Sequence, residues 1–206
     1  MTSQFWKPEL DCQFPETKIK HFYQNVYGYF TFHDYYSHLV RRLKANPATQ
    51  SVHGVEVGCF GGQSASYLLV EAANAGLEMR LDLVDRFVDF STDTVKQHLA
   101  PVASCIGECH AGNSWDMAAM YSNKSLDFVF IDADHSYESV AKDIDAWRSK
   151  VKQGGFLAGH DFCATFSGVV NAVTERFPRV MVFQGSRQCS DPKMCGTYWP
   201  VWSVQL

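Results

Sequence analysis

From residue 52 onward, apolar and polar positions fall into blocks that switch between two periods. Short, nearly continuous apolar runs predict strands over Val52–Val57, Arg80–Val84, Ser104–His110 and Leu126–Ile131. Between them, helical spacing predicts helices over Ser64–Ala75, Thr92–Leu99 and Ser114–Tyr121. The clearest helical period lies in Ser136–Lys150. There Tyr137, Val140, Ile144, Trp147 and Val151 form one apolar stripe, and Glu138 and Lys142 make an i,i+4 pair. Gly154-Gly155 is expected to break the chain before a strand at Phe156–Ala158. A helix over Thr165–Phe177 and strands at Val180–Phe183 and Tyr198–Val204 complete the pattern. Apolar strands alternating with helices imply an α/β fold built on one doubly wound, mostly parallel seven-stranded sheet.

Residues 1–50 break this alternation and are rich in aromatics, from Phe5 and Trp6 to Tyr35 and Tyr36. Within them Phe32, Tyr36, Leu39, Val40 and Leu43 recur at helical spacing, and Pro47 ends the run. The division expected is an N-terminal helical or lid segment over 1–50 and an α/β domain over 51–206. The helix reads as packing on the domain edge. The turn Tyr27–Phe30 reads either the same way or as a lid.

Composition narrows the function classes. A chain of 206 residues, 46% hydrophobic, holds enough apolar mass for one sizeable core. Its net charge of −4 without runs of like charge argues against nucleic acid or an anionic membrane surface as partner. No signal-peptide core occupies the first ten residues and no window has the length of a membrane span, so a soluble cytoplasmic protein is expected. Seven scattered cysteines are read as reduced thiols. Cys105 and Cys109 on one strand would lie roughly 13 Å apart, too far to share a zinc ion. Whether Cys189 and Cys195 pair across their intervening turn is left open.

The chemistry concentrates where strands end. Val55-Glu56-Val57 runs into Gly58-Cys59-Phe60-Gly61-Gly62, and a helix starts at Ser64. That arrangement lets a ligand approach bare backbone N–H groups. Glu56 is an acid inside a buried strand, a costly placement without a role. Phe128–Ile131 ends in Asp132-Ala133-Asp134-His135, and Gly155–Ala158 ends in Gly159-His160-Asp161. Polar ends on successive strands describe a ligand crevice along one sheet edge. A nicotinamide dehydrogenase is disfavoured, because Glu56 takes the place of the first glycine of Gly-x-Gly-x-x-Gly and would face a pyrophosphate.

Three segments carry a family resemblance: Glu56–Ser64, Phe130–Glu138 and Gly154–Phe162, supported by Gly28–Phe32 and Gly168–Val173. Together they resemble class I S-adenosylmethionine-dependent methyltransferases. More narrowly, they are similar to the group of macrocin- and mycinamicin-type sugar O-methyltransferases and cephalosporin hydroxylase-like proteins. The resemblance implies that domain 51–206 binds S-adenosylmethionine through Glu56, Gly58, Gly62 and Ser64 at its amino-acid end. Asp85 would meet the ribose, ahead of Asp82 inside its strand. Asn113 and Ser114 would stand at the adenine, where many relatives carry an acid. Asp132 would border the cofactor as well. Helix capping is the rival reading for Ser64 and Asn113.

The resemblance also implies a divalent metal on Asp132 and Asp161, with His160 where an oxygen ligand is usual. Mg²⁺ is the first expectation and Mn²⁺ the second, since an imidazole ligand shifts preference toward softer ions. His160 or His135 is the expected general base, while Asp134 reads better as a cap of the following helix. The implied reaction is O-methylation of a hydroxyl on a small molecule, a sugar or secondary metabolite. Two alternatives stay open: a metal-dependent hydroxylase-like enzyme on the same scaffold, and a cofactor-binding protein without catalysis. A homo-oligomer is compatible with the aromatic N-terminal segment.

Overall fold

The computed structural model describes residues 18–47, 51–184 and 199–206. Strands β1 (Val52–Val57), β2 (Met79–Asp85), β3 (Ile106–Ala111), β4 (Leu126–Ile131), β5 (Val151–Gly159), β6 (Met181–Phe183) and β7 (Val201–Gln205) form one sheet. Their order is β3-β2-β1-β4-β5-β7-β6. The first five strands run parallel, and β7 runs antiparallel to both β5 and β6. The α/β, mostly parallel seven-stranded expectation therefore holds, with an antiparallel hairpin at one edge.

Alternation along each strand sorts the core into two layers. Helices α1 (His33–Lys44) and α2 (Gln63–Asn74) cover one face together with Phe128, Phe130 and Phe156. Helices α5 (Tyr137–Arg148) and α6 (Ser167–Arg176) cover the other with Val55, Val57, Val129 and Ile131. The shorter helices α3 (Thr92–His98) and α4 (Ser114–Met117) flank β3. Helix α1 is part of the first layer: Tyr35, Tyr36, Leu39, Val40 and Leu43 are all buried. No helix among the described residues is long and apolar enough to cross a membrane.

Register decides where the chemistry gathers. Val57 stands opposite Val84 and Ile131, and Ile131 opposite Gly159. The residues that follow, Gly58, Asp85, Asp132 and His160, therefore come to one edge of the sheet.

Some local expectations are corrected. Gly154-Gly155 does not interrupt the chain, because β5 runs continuously from Val151 to Gly159. Leu126 pairs with Val151 but Phe128 with Phe156, so β5 bulges there. Gly154 at φ +81° supplies the bend, and a Cβ on Gly155 would meet the Asp127 carbonyl oxygen at 2.6 Å. The strand expected from Ser104 begins at Ile106, since Ala100–Cys105 winds as a 3₁₀ turn opening with Pro101. Cys105 is thus not on a strand with Cys109. The helix expected over Ser114–Tyr121 is α4 followed by a 3₁₀ turn, Ala118–Met120. Cys189, Cys195 and the loop Arg187–Thr197 lie outside the described residues.

Candidate active site

The glycine loop is held from two sides. Gly58 has φ +83°, and a Cβ there would meet the Asp132 carbonyl oxygen at 1.9 Å. Only glycine lets the end of β1 lie against the end of β4. Asp85 pins the loop from the tip of β2, accepting the Phe60 N–H at 2.9 Å and the Phe87 N–H at 2.9 Å. Gly62, at φ +89°, turns the chain into α2.

Glu56 is not among the residues that line either cavity at the sheet edge. It is completely buried on the α1–α2 side, where it accepts hydrogen bonds from the Tyr36 hydroxyl at 3.2 Å and from Ser64 Oγ. Its Oε2 has no partner. Burial raises the carboxyl to about 8, against the lowering pull of the Ser64 bond. The acid stands behind the glycine loop, tying α1 and α2 to β1.

Two cavities open along the sheet edge, of about 470 and 530 Å³. They share Gly58, Phe60, Asp132, Ala133 and His135 and so adjoin as two parts of the crevice at this edge. The first spans the tips of β1, β2 and β4 and reaches α5. Among the described residues, five aspartates line it (Asp85, Asp89, Asp132, Asp134 and Asp143) against one arginine, Arg86. The second sets Tyr29, Phe60 and Trp199 beside Asp132, His135, His160 and Asp161. Tyr29 is 55% exposed while its neighbour Phe30 is buried, so the aromatic turn forms part of the crevice rim.

At the junction, acids and imidazoles interlock. His135 Nε2 lies 2.6 Å from Asp161 Oδ2, and the His135 ring stacks on Phe166. His160 Nδ1 lies 3.5 Å from Asp132 Oδ1 and 3.3 Å from Asp161 Oδ1. Its Nε2 contacts the Thr31 hydroxyl at 3.2 Å. Burial would lower His160, but the Asp132 and Asp161 carboxylates outweigh it and push the imidazole up to about 10. Burial would raise Asp161, yet the His135 hydrogen bond and the His160 imidazole beside it bring it down to about 2. Asp161 adopts φ +61°, a strained backbone that aims its carboxyl back into the cluster. Among the described residues, Asp132, His135 and Asp161 each offer one donor atom, all within 4.8 Å of one another.

A model of the methyltransferase domain family matches residues 55–162, slightly more than half of the 206-residue chain. The chain belongs to this methyltransferase family. Solved structures agree in fold. Cofactor-bound Rv0187 from MTB is similar at TM-score 0.63 and 15% identity, over 88% of this chain and 84% of that one. The Bacillus cereus O-methyltransferase, solved with SAH, gives TM-score 0.62 at 16% identity, over 88% and 85%. TomG from Streptomyces achromogenes, an O-methyltransferase of tomaymycin synthesis solved with SAM, gives 0.58 at 18%, over 82% and 77%. No curated protein matches the sequence. The fold is thus that of the class I S-adenosylmethionine-dependent methyltransferases.

In this methyltransferase the crevice collects Gly58, Asp85, Asn113, Ser114, Asp132, His135, His160 and Asp161. Ser64 lines the second cavity, although its hydroxyl is turned to Glu56. Gly62 packs against Val95 and Leu99 of the α3 region and shapes the loop from behind. Asp82 is buried away from the crevice, bound to His53 at 2.8 Å and to Tyr121 at 3.0 Å. Asp134 accepts the Ser136 N–H at 2.7 Å and Ser136 accepts the Ser139 N–H, so both serve the start of α5. Sequence reasoning missed Thr31, Trp199 and Asp143. Thr31 and Trp199 have no local signal, but Asp143 does: it stands three residues after Val140 and four before Trp147, on the apolar face of α5.

Proposed function

We propose that this methyltransferase transfers a methyl group from S-adenosylmethionine to a hydroxyl of a small molecule, with a divalent cation at Asp132 and Asp161. The observation that carries this reading is the acidic crevice at the point where strand order reverses between β1 and β4. Among the described residues, five aspartates against one arginine suit a ligand bearing sulfonium and ammonium charges and disfavour a pyrophosphate. Gly58 to Ser64 would hold its amino-acid end and Asp85 its ribose. Both Asp85 oxygens already accept backbone N–H groups, but each keeps a further lone pair.

The donor set fits a cation. Asp161 Oδ1 is buried and meets only the His160 imidazole, at 3.3 Å and without a hydrogen bond, and Asp132 and His135 bring their donors to the same place. Asp132, Asp161 and His135 would hold the ion, which when bound lowers the pKa of an acceptor hydroxyl. His160 is turned away from solvent toward both carboxylates. We assign it to fixing their orientation, anchored through Thr31, rather than to taking the proton. Tyr29, Phe60 and Trp199 would position the acceptor on the apolar side of the second cavity and exclude water.

The test is calorimetric titration with S-adenosylhomocysteine after EDTA treatment and with Mg²⁺ or Mn²⁺ restored, followed by mass analysis of hydroxylated acceptors. Binding with a methylene gain in product supports the reading. Absence of binding in every metal state sinks it, and an oxygen gain would favour the hydroxylase-like alternative.

A further inference from the structure

The crevice has an end that the residues after β3 do not fully account for. Asn113, where many relatives of the class carry an acid, turns its side-chain nitrogen to Asp116 Oδ2 at 3.2 Å. Ser114 is small, and its Oγ accepts the Trp147 indole N–H at 2.7 Å. Behind Ser114 stands Asp143 of α5, only 1% exposed yet part of the cavity lining. The Ser114 hydroxyl stands near the Asp143 carboxyl and draws it back from the rise that burial imposes. The Asp143 Oδ1 is buried without a hydrogen-bond partner.

A buried acceptor left unmade costs more than an ordinary hydrogen bond returns. Asp143 belongs to the cavity wall, so a ligand seated there is a source of the donor that Oδ1 lacks. Burial raises the Asp143 carboxyl only to about 6, so at neutral pH it is an ionised acceptor. It stands beside Asn113, Ser114 and Trp115, past the β2 tip where Asp85 lies, so a nucleoside whose sugar meets Asp85 brings its base here.

We propose that Asp143 reads the adenine of the bound cofactor, accepting a hydrogen bond from the exocyclic 6-amino group at Oδ1. This rests on the S-adenosylmethionine reading above. Ser114, anchored by the Trp147 indole, stands near the carboxyl, and the acid on α5 takes over the recognition that Asn113 leaves undone. A site built to accept from an amino group rejects an analogue that presents an acceptor in its place.

The experiment pairs one change in the ligand with one in the protein. S-adenosylhomocysteine and its hypoxanthine analogue, with a 6-oxo group, are titrated into the wild type and into Asp143→Asn. The wild type should prefer the adenine ligand by about 10- to 100-fold. In the variant, whose amide can donate to the oxo group, the preference should shrink or invert. Equal affinity of the wild type for both ligands overturns the proposal, as does a variant that weakens both by the same factor. If the variant does not fold, the wild-type ratio decides alone. Failure of the wild type to bind either ligand overturns the cofactor reading and this proposal with it. Binding without discrimination overturns only the proposal.

Discussion

Tyr36 of α1 donates its hydroxyl to Glu56 of β1 across 3.2 Å, in a spot from which water is excluded. The helix contributed by the N-terminal segment thus seals the acid that precedes the glycine loop. Helix α1 is a working part of the core beside the crevice.

That seal has a pH consequence. Glu56 titrates at about 8 in the folded protein against an ordinary 4.5. Between these values the folded chain holds a proton that the unfolded chain releases, so stability falls as pH rises through the window and levels off above about 8. Glu56→Gln cannot lose that proton. Thermal melting from pH 5 to 9 should show a shallower decline for the variant than for the wild type. Parallel curves would mean that Glu56 is ionised in the fold.

Asp82 behaves in the opposite sense. It is buried among His53, Arg80, Tyr121 and the Glu108 N–H, and these partners overcome its desolvation to lower it to about 2 from 3.8. Its stabilising contribution is present above pH 4 and is lost as pH falls toward 2. Asp82→Ala strands several buried donors and should cost about 2–4 kcal/mol, while affinity for S-adenosylhomocysteine stays near wild type. A large loss of affinity at unchanged stability would return Asp82 to the binding site.

Most of the frame could be read along the chain, because apolar runs ending in Gly58, Asp85, Asp132 and His160 carry both strand period and strand end in local sequence. The seven-stranded, mostly parallel sheet follows from that pattern. The doublet Gly154-Gly155 was misread because the same residues that end a strand also bend one, and only pairing with β4 distinguishes a bulge from a break. The Thr31–His160 contact spans 129 residues, and no local period encodes such a pairing. Asp143 left a trace as a polar residue within an apolar helical face, but its open oxygen depends on how Ser114 and Trp147 meet it.

Two glycines with nearly the same backbone separate strain from collision. Gly58 has φ +83° and Gly154 φ +81°, yet a Cβ on Gly58 meets the Asp132 carbonyl at 1.9 Å while one on Gly154 meets nothing within 4 Å. Gly154→Ala should cost about 1 kcal/mol and leave ligand binding intact. Gly58→Ala should cost about 2–4 kcal/mol and weaken S-adenosylhomocysteine binding, because relief of the clash must move the Asp132 backbone. Equal melting temperatures for the two variants would refute the close approach of β1 to β4.

The acid–imidazole cluster predicts a separation of cofactor binding from turnover. Asp161 contacts His135 and His160, and Asp132 shares His160 with it. The double variant Asp132→Asn/Asp161→Asn keeps the volume of both side chains but removes both charges. Turnover that depends on Mg²⁺ or Mn²⁺ should fall at least about 100-fold, since the hydroxyl is then no longer acidified. S-adenosylhomocysteine affinity should drop far less, because the glycine loop and the Asp85 end of the crevice are untouched. Titration with Mn²⁺, followed by electron paramagnetic resonance, should show loss of protein-bound ion in parallel with loss of turnover. Undiminished turnover in the double variant would remove the cation from the reaction, and undiminished Mn²⁺ binding would place it on other residues.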